Sequence, residues 1–309
     1  MSAARPVVGV LGVGSLGAAM AQRLAQQGFT VHATDLAPER VAALAPHGVR
    51  PAATARELAA QAEVVLVLLP DTPDLLAALD GPDGLEAGLR PDSALVIAST
   101  VDPGTPPLMA QRLAPLGVRV VDAPVSGGPV AARAGELAIM VGAHPDTYAL
   151  VQPVLSAYGR PVHVGPVGHG EIAKLANNLM GAVIVLGIAE GLALAAKAGA
   201  DLDRVREAIG GGSGASWILS DWMPRTVLAG RIDADFAVGL MSKDTRLIGE
   251  YAQRLGVPLE AGALAQRTFD EVRDAGYGDK DFSVLVALRA LAAGAPMANV
   301  SLEPAPPAP

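Results

Sequence analysis

Val7-Val8-Gly9-Val10-Leu11-Gly12-Val13-Gly14-Ser15-Leu16-Gly17 decides the fold. Its first five residues form a short apolar run, the pattern of a strand covered on both faces. Gly12-x-Gly14-x-x-Gly17 follows, and Leu16–Gln27 then carries apolar residues at helical spacing and stops at Gly28. Strand, glycine loop and helix in this order seat a pyrophosphate on the helix N-terminus, because bare glycine backbone lets the amides come close. Asp35 closes the next apolar run, Thr30–Thr34, 18 residues after Gly17, where a carboxylate accepts from ribose hydroxyls. The pattern predicts a dinucleotide site built from Gly12, Val13, Gly14, Ser15, Leu16, Gly17 and Asp35. A carboxylate at Asp35 repels a 2′-phosphate, so NAD is favoured; Arg40, folding back, would soften this and leaves NADP possible.

Outward from this loop the alternation continues. Apolar runs recur at Val64–Leu69, Ala94–Ala98, Val118–Val121, Leu137–Val141 and Pro161–Val164. Helical patterns lie between them, including one opened by the capping-box spacing Thr54-Ala55-Arg56-Glu57 and one over Pro106–Leu116. This alternation predicts an α/β domain, a Rossmann-type doubly wound sheet over residues 1–165. The breaker cluster Gly165-Pro166-Val167-Gly168-His169-Gly170 ends it. Residues 166–295 then read as all-α, with a long interdomain helix over Glu171–Ala198. Further helices are predicted at Leu202–Ile209, Phe236–Leu255, Leu259–Ala275 and Ser283–Leu291, with a flexible tail over 296–309.

Composition removes several function classes. Of 309 residues 51% are hydrophobic and 17% charged, enough apolar material for a large core. The formal charge of −8 and the lack of a basic run argue against nucleic acid. The absence of cysteine excludes disulfides, thiolate metal sites and a cysteine nucleophile, and no cluster of His, Asp and Glu suggests a metal. The most apolar stretch, Leu179–Ala189, is 11 residues long against the roughly 20 that a bilayer requires, and the N-terminus lacks a signal-peptide pattern. The expectation is a soluble cytoplasmic protein without a membrane partner.

Three more stretches carry chemistry. Asp122-Ala123-Pro124-Val125-Ser126-Gly127-Gly128 places a hydroxyl and two bare amides just after a strand, the makings of a carboxylate nest or of a plain turn. In Gly170-Glu171-Ile172-Ala173-Lys174-Leu175-Ala176-Asn177-Asn178, the residues Glu171, Lys174 and Asn178 share one face of an otherwise apolar helix. A lysine there is either solvated or, if desolvated, lowered in pKa and suited to proton exchange with an alkoxide. Ser242-Lys243-Asp244 reads by itself as a helical charge pair.

With the glycine loop, these stretches resemble the β-hydroxyacid dehydrogenases in order and spacing, from about residue 6 to 290. The family includes 3-hydroxyisobutyrate dehydrogenases, tartronate semialdehyde reductases and threonate dehydrogenases. The resemblance implies hydride transfer between a nicotinamide cofactor and a small β-hydroxyacid. It makes Lys174 the acid/base and Asn178 its orienting partner. Ser126, Gly127 and Gly128 would hold the substrate carboxylate, and Asp244 would lie beside the substrate as an orienting group. Leu69, Pro70, Asp74, Thr100 and Lys243 would line the cofactor. Specificity is expected around Gly212–Trp217, with Trp217 facing substrate. A 3-hydroxyisobutyrate-like acid ranks first, tartronate semialdehyde and threonate next. An imine reductase or a non-catalytic nicotinamide sensor are alternatives that retention of Lys174 and Ser126 opposes. Family members usually assemble through the helical domain, so a homodimer or homotetramer is expected.

Overall fold

The structure, a computed structural model, describes residues 5–302. The chain divides into two compact units, the first ending at Leu175 and the second beginning at Ala176. In the first unit the elements run β1 (Val8–Leu11), α1 (Ser15–Gln26), β2 (Val31–Thr34), α2 (Pro38–Ala42), β3 (Arg50–Pro51), α3 (Ala55–Gln61), β4 (Val64–Val67) and α4 (Thr72–Leu79). They continue with β5 (Ala94–Ile97), α5 (Thr105–Leu113), β6 (Arg119–Asp122), β7 (Val125–Ser126), α6 (Gly128–Ala134), β8 (Leu137–Gly142), α7 (Pro145–Tyr158) and β9 (Gly159–Gly165). Helix α8 (His169–Lys197) then starts in the first unit and runs into the second.

The sheet order is β3-β2-β1-β4-β5-β6-β8-β7, with β9 beside β8. It is parallel from β3 through β6, and β4 returns on the opposite side of β1 from β2, the switch point at which open α/β sheets bind ligands. Apolar runs without alternation make sense here because both faces are covered. Val64 and Leu66 enter one core with Met20 and Leu24 of α1, while Val65 and Val67 enter the other with Leu58 of α3 and Leu75 of α4. Each such fully buried leucine contributes about 1.5–3 kcal/mol.

The sheet departs from a purely parallel pattern beyond β6. β8 pairs antiparallel with the tip of β6 and with β7, so β7 prolongs the path of β6 past Asp122. Helices α4, α6 and α7 were not legible as helices. Proline stands in the first turn of each, and Pro153 lies inside α7; proline reads as a breaker in sequence but is tolerated in a first helical turn. The Thr54 cap forms, its hydroxyl accepting from Glu57 N at 3.0 Å. The Glu57 carboxylate, however, returns to Ala53 N at 2.8 Å instead of to the capping residue.

In the second unit, α8 is followed by α9 (Leu202–Gly210), a π-turn at Ile218–Trp222, and α10 (Met223–Arg225). The long helices α11 (Val238–Leu255), α12 (Glu260–Val272) and α13 (Val284–Ala292) complete it. Its core joins Val185 and Ala189 of α8 to Met241, Phe269 and Leu285. Met297, Val300 and Leu302 pack against that core, so the expected tail from residue 296 is seated over its first part; residues 303–309 lie outside the described residues. The 29 residues of α8 are long and apolar enough to cross a membrane by length and composition, a test that the core helix of a soluble protein also passes. In this helix, 39% of the most apolar window is buried within the chain, and Glu171, Lys174 and Asn178 are buried in its first turns.

Candidate active site

The three glycines of the loop do different jobs. A Cβ at Gly12 (φ 88°) would collide with the carbonyl oxygen of Leu68, and one at Gly17 with that of Gly12, so both are required for packing β1 against β4 and α1. Nothing lies within 4 Å of a Cβ built at Gly14. Gly14 is the N-cap of α1 and supplies no side-chain cap, so it leaves the first-turn amides without a capping side chain. Val13 N donates to Asp35 Oδ2 at 2.8 Å and Ala37 N to Oδ1 at 2.9 Å, which ties the loop to the end of β2; Arg40 stands 3.5 Å from the same carboxylate. The arrangement fits a dinucleotide: two glycines packed shut, one open to a ligand, and a carboxylate at the ribose position.

Other predicted cofactor residues line up along the same carboxyl edge. Leu69 and Pro70 follow β4, and Leu69 N donates to the Ser99 hydroxyl at 2.7 Å beyond β5, next to Thr100. Asp74 turns its carboxylate to Asp71 N at 3.1 Å, closing a capping box on α4. Ser99, which bridges the ends of two strands, gave no signal of its own in the sequence.

Ser126 ends β7, and Gly127 (φ 130°) and Gly128 (φ 73°) turn the chain into α6 in the left-handed region, which glycine alone enters cheaply. They lie beyond the carboxyl edge of the parallel strands because β7 prolongs β6. Lys174 belongs to the same unit, on the second turn of α8, with only 5% of its surface exposed. One turn earlier, Glu171 is fully buried and accepts from Val101 N at 3.2 Å through Oε2. Asp122, at the end of β6, accepts from Gly168 N at 2.7 Å and Glu171 N at 2.9 Å. Burial pushes the Asp122 carboxyl up to about 6, against the downward pull of these amide bonds.

The second unit holds a separate polar chain. Asn178, one turn past Lys174 on α8, donates from Nδ2 to Asp244 Oδ2 at 2.5 Å, and its Oδ1 accepts from Asn177 Nδ2 at 2.9 Å. Lys243 Nζ is 2.7 Å from Asp244 Oδ1. Asn177, which the sequence offered no reason to single out, thus orients the Asn178 amide. Trp217 is not part of this chain. It is half exposed and packs edge-on against Trp222, with Arg225 over both rings.

Known proteins resemble this chain over most of its length. Residues 7–168 match the model for the NAD binding domain of 6-phosphogluconate dehydrogenase, and residues 168–289 that for the NAD-binding domain of NADP-dependent 3-hydroxyisobutyrate dehydrogenase. A 2-(hydroxymethyl)glutarate dehydrogenase from Eubacterium barkeri is 34% identical over 90% of this chain and 93% of its own length. A 3-hydroxyisobutyrate dehydrogenase from Pseudomonas aeruginosa is 35% identical over 91% of this chain and 97% of its own. Among solved structures, the 3-hydroxyisobutyrate dehydrogenase of Salmonella typhimurium superposes with a TM-score of 0.82 at 30% identity, covering 91% of this chain and 99% of that one.

Proposed function

This chain belongs to the β-hydroxyacid dehydrogenase family, and we propose that it interconverts a small β-hydroxyacid and its carbonyl form, with NAD as the preferred cofactor and Lys174 as the acid/base. It is an NAD(P)-dependent oxidoreductase. Gly12–Gly17 and Asp35 would hold the dinucleotide, with Leu69, Pro70, Asp74, Thr100 and Lys243 assigned to its surroundings. When bound, the nicotinamide takes or returns the hydride.

The chain's own residues supply binding and the proton. The Ser126 hydroxyl and the amides of Gly127 and Gly128 hold the substrate carboxylate. In oxidation Lys174 takes the hydroxyl proton; in reduction its ammonium polarises the carbonyl and gives the proton back. Asn178, held by Asp244 and Asn177, keeps the polar face of α8 ordered beside the lysine. The burial of Lys174 carries this reading. Lysine is seldom buried without a partner or a task, and this one shares a compact unit with both the glycine loop and Ser126–Gly128.

Substrate choice is supported by the relatives' names. Both 2-(hydroxymethyl)glutarate and 3-hydroxyisobutyrate carry a primary hydroxyl β to a carboxylate. A 3-hydroxyisobutyrate-like acid therefore ranks first, with tartronate semialdehyde and threonate as alternatives, and Trp217 is assigned to discriminate among them. The enzyme is taken to be cytoplasmic. Exposed Met180 and Leu194 on α8 and Leu255 on α11 support assembly into a homodimer or homotetramer, and a single 31 kDa species in light scattering would contradict that.

The test follows reduced-cofactor absorbance with NAD+ and NADP+ across 3-hydroxyisobutyrate, 3-hydroxypropionate, glycerate, serine and threonate. Turnover of one acid that vanishes in Lys174→Ala is the expected result. Cofactor binding with no acid turned over would defeat the reading; a panel of cyclic imines would then separate an imine reductase from a sensor.

A further inference from the structure

A carboxylate held away from water needs hydrogen bonds to replace its hydration. Asp122 is fully buried, and its donors include amides at the entrance to α8: Gly168 N on Oδ1 and Glu171 N on Oδ2, with the Gly170 and Asp122 backbones also contributing. Amides in a first helical turn have no acceptor within the helix, and the helix dipole favours negative charge beside them. Asp122 therefore does from the end of β6 what an N-cap side chain does locally.

The seat is built for this carboxylate. A Cβ at Gly142 would meet, as its three nearest atoms, Cγ, Oδ1 and Oδ2 of Asp122, with Oδ2 at 2.7 Å. A Cβ at Gly170 would lie 2.8 Å from Oδ2 and collide with the carbonyl oxygen of Met140. Glutamate is too long for such a seat. Asparagine has the shape but one acceptor oxygen, and its amide would face one of the two N–H groups.

Asp122 also stands at a junction. Four residues further along the same path lies Ser126, and three residues past the Glu171 amide it grips lies Lys174. An α-helix is stiff over one turn, so a displacement or rotation at Glu171 is passed to Lys174. We infer that Asp122 is a positioning residue: it fixes the start of α8 to the strand that leads into Ser126–Gly128, and so sets the separation between the lysine ammonium and the substrate's carboxylate anchor. Glu171, accepting from Val101 N, is a second tie from the same helical turn to the end of β5. The inference rests on Lys174 being the acid/base.

The experiment compares full-length wild type with Asp122→Asn, Asp122→Ala/Gly142→Ala and Lys174→Ala. It uses the hydroxyacid best turned over in the panel above, and hydrogen exchange across residues 168–174 without cofactor. Asp122→Asn is expected to lower kcat by about 10- to 100-fold, as displacements of an ångström do, with KM for NAD+ within about twofold. Amides 168–174 should exchange faster. In the double variant the methyl at position 142 enters the space the carboxylate leaves. Its melting temperature should lie near wild type while kcat and amide protection stay low. Full kcat and protection in Asp122→Asn would overturn the inference, as would recovery of kcat together with melting temperature in the double variant. If Lys174→Ala keeps turning over, the acid/base reading fails on its own. If Lys174→Ala is inactive while Asp122→Asn is unimpaired, only the positioning role fails.

Discussion

The loop after β1 and the segment after β6 both sit at the carboxyl edge of the sheet, yet they are built on opposite principles. Gly12–Gly17 works by having no side chains, and most of what shapes it lies within a few residues along the chain or one strand away. Asp122–Gly128 works through one buried charge whose partners are 46 and 49 residues distant. The first, on the function proposed, is shaped for a pyrophosphate. The second fixes a distance, and a distance is what proton transfer to a particular acid requires.

Substitutions break this comparison at graded cost. The largest expected effect is Lys174→Ala, with turnover lower by about 10²–10⁴-fold, typical of a lost general acid/base. NAD+ affinity measured by calorimetry should be unchanged, since the glycine loop is intact.

Next comes pH. The Asp122 carboxyl sits at about 6 in the folded chain against 3.8 ordinarily, with His169 and Glu171 its titratable neighbours on α8. A raised folded pKa means the native state binds this proton more tightly than the unfolded chain. The stabilisation, on the order of 3 kcal/mol, is therefore complete below about 4 and lost as pH rises through about 6. Denaturant titrations of wild type and Asp122→Asn should differ by this slope between pH 4 and 7; parallel curves would show that the group does not titrate there. A charge that lowers stability at neutral pH but is needed for turnover is the signature of a positioning device rather than of a stabilising one.

Gly14→Ala sharpens the contrast from the other side. Its Cβ has room in the protein, so the melting temperature should hold within about 1 °C. The methyl occupies the path of an approaching ligand, and NAD+ affinity should fall by roughly tenfold. Gly12→Ala, by contrast, should destabilise the fold itself, because its Cβ meets the Leu68 carbonyl. The smallest effect is expected at Asp35→Ala. The kcat/KM preference for NAD+ over NADP+ should narrow by about 1 kcal/mol, on the order of fivefold, as Arg40 is released from its carboxylate partner.

The same contrast explains what could be read in advance. Val64–Val67 announced a doubly covered strand because every one of its residues is apolar, and the structure places alternate residues in two cores. The helix carrying Lys174 was legible to within about two residues at either end, from the breaker cluster before it and the end of strand-like runs. Helix α7 was hidden by its own prolines. The Asp71–Asp74 capping box went unseen because Pro70 before it and Pro73 within it made the segment read as loop. Asp122 appeared only as the first letter of a motif, with no local feature to show that its carboxylate turns inward.

By itself, then, the sequence determined the fold class, the glycine loop between β1 and α1, the lysine-bearing helix and the family. The first three depend on neighbouring residues whose period or steric needs are local, and the family on short motifs that are each local and recur in a fixed order. Tertiary structure alone decided that the sheet turns antiparallel after β6, that Asp244 and Asn177 orient Asn178, and that Asp122 grips the start of α8. A buried polar group takes the partner that topology brings within 3 Å, and that partner is chosen by the path of the whole chain rather than by the residues beside it.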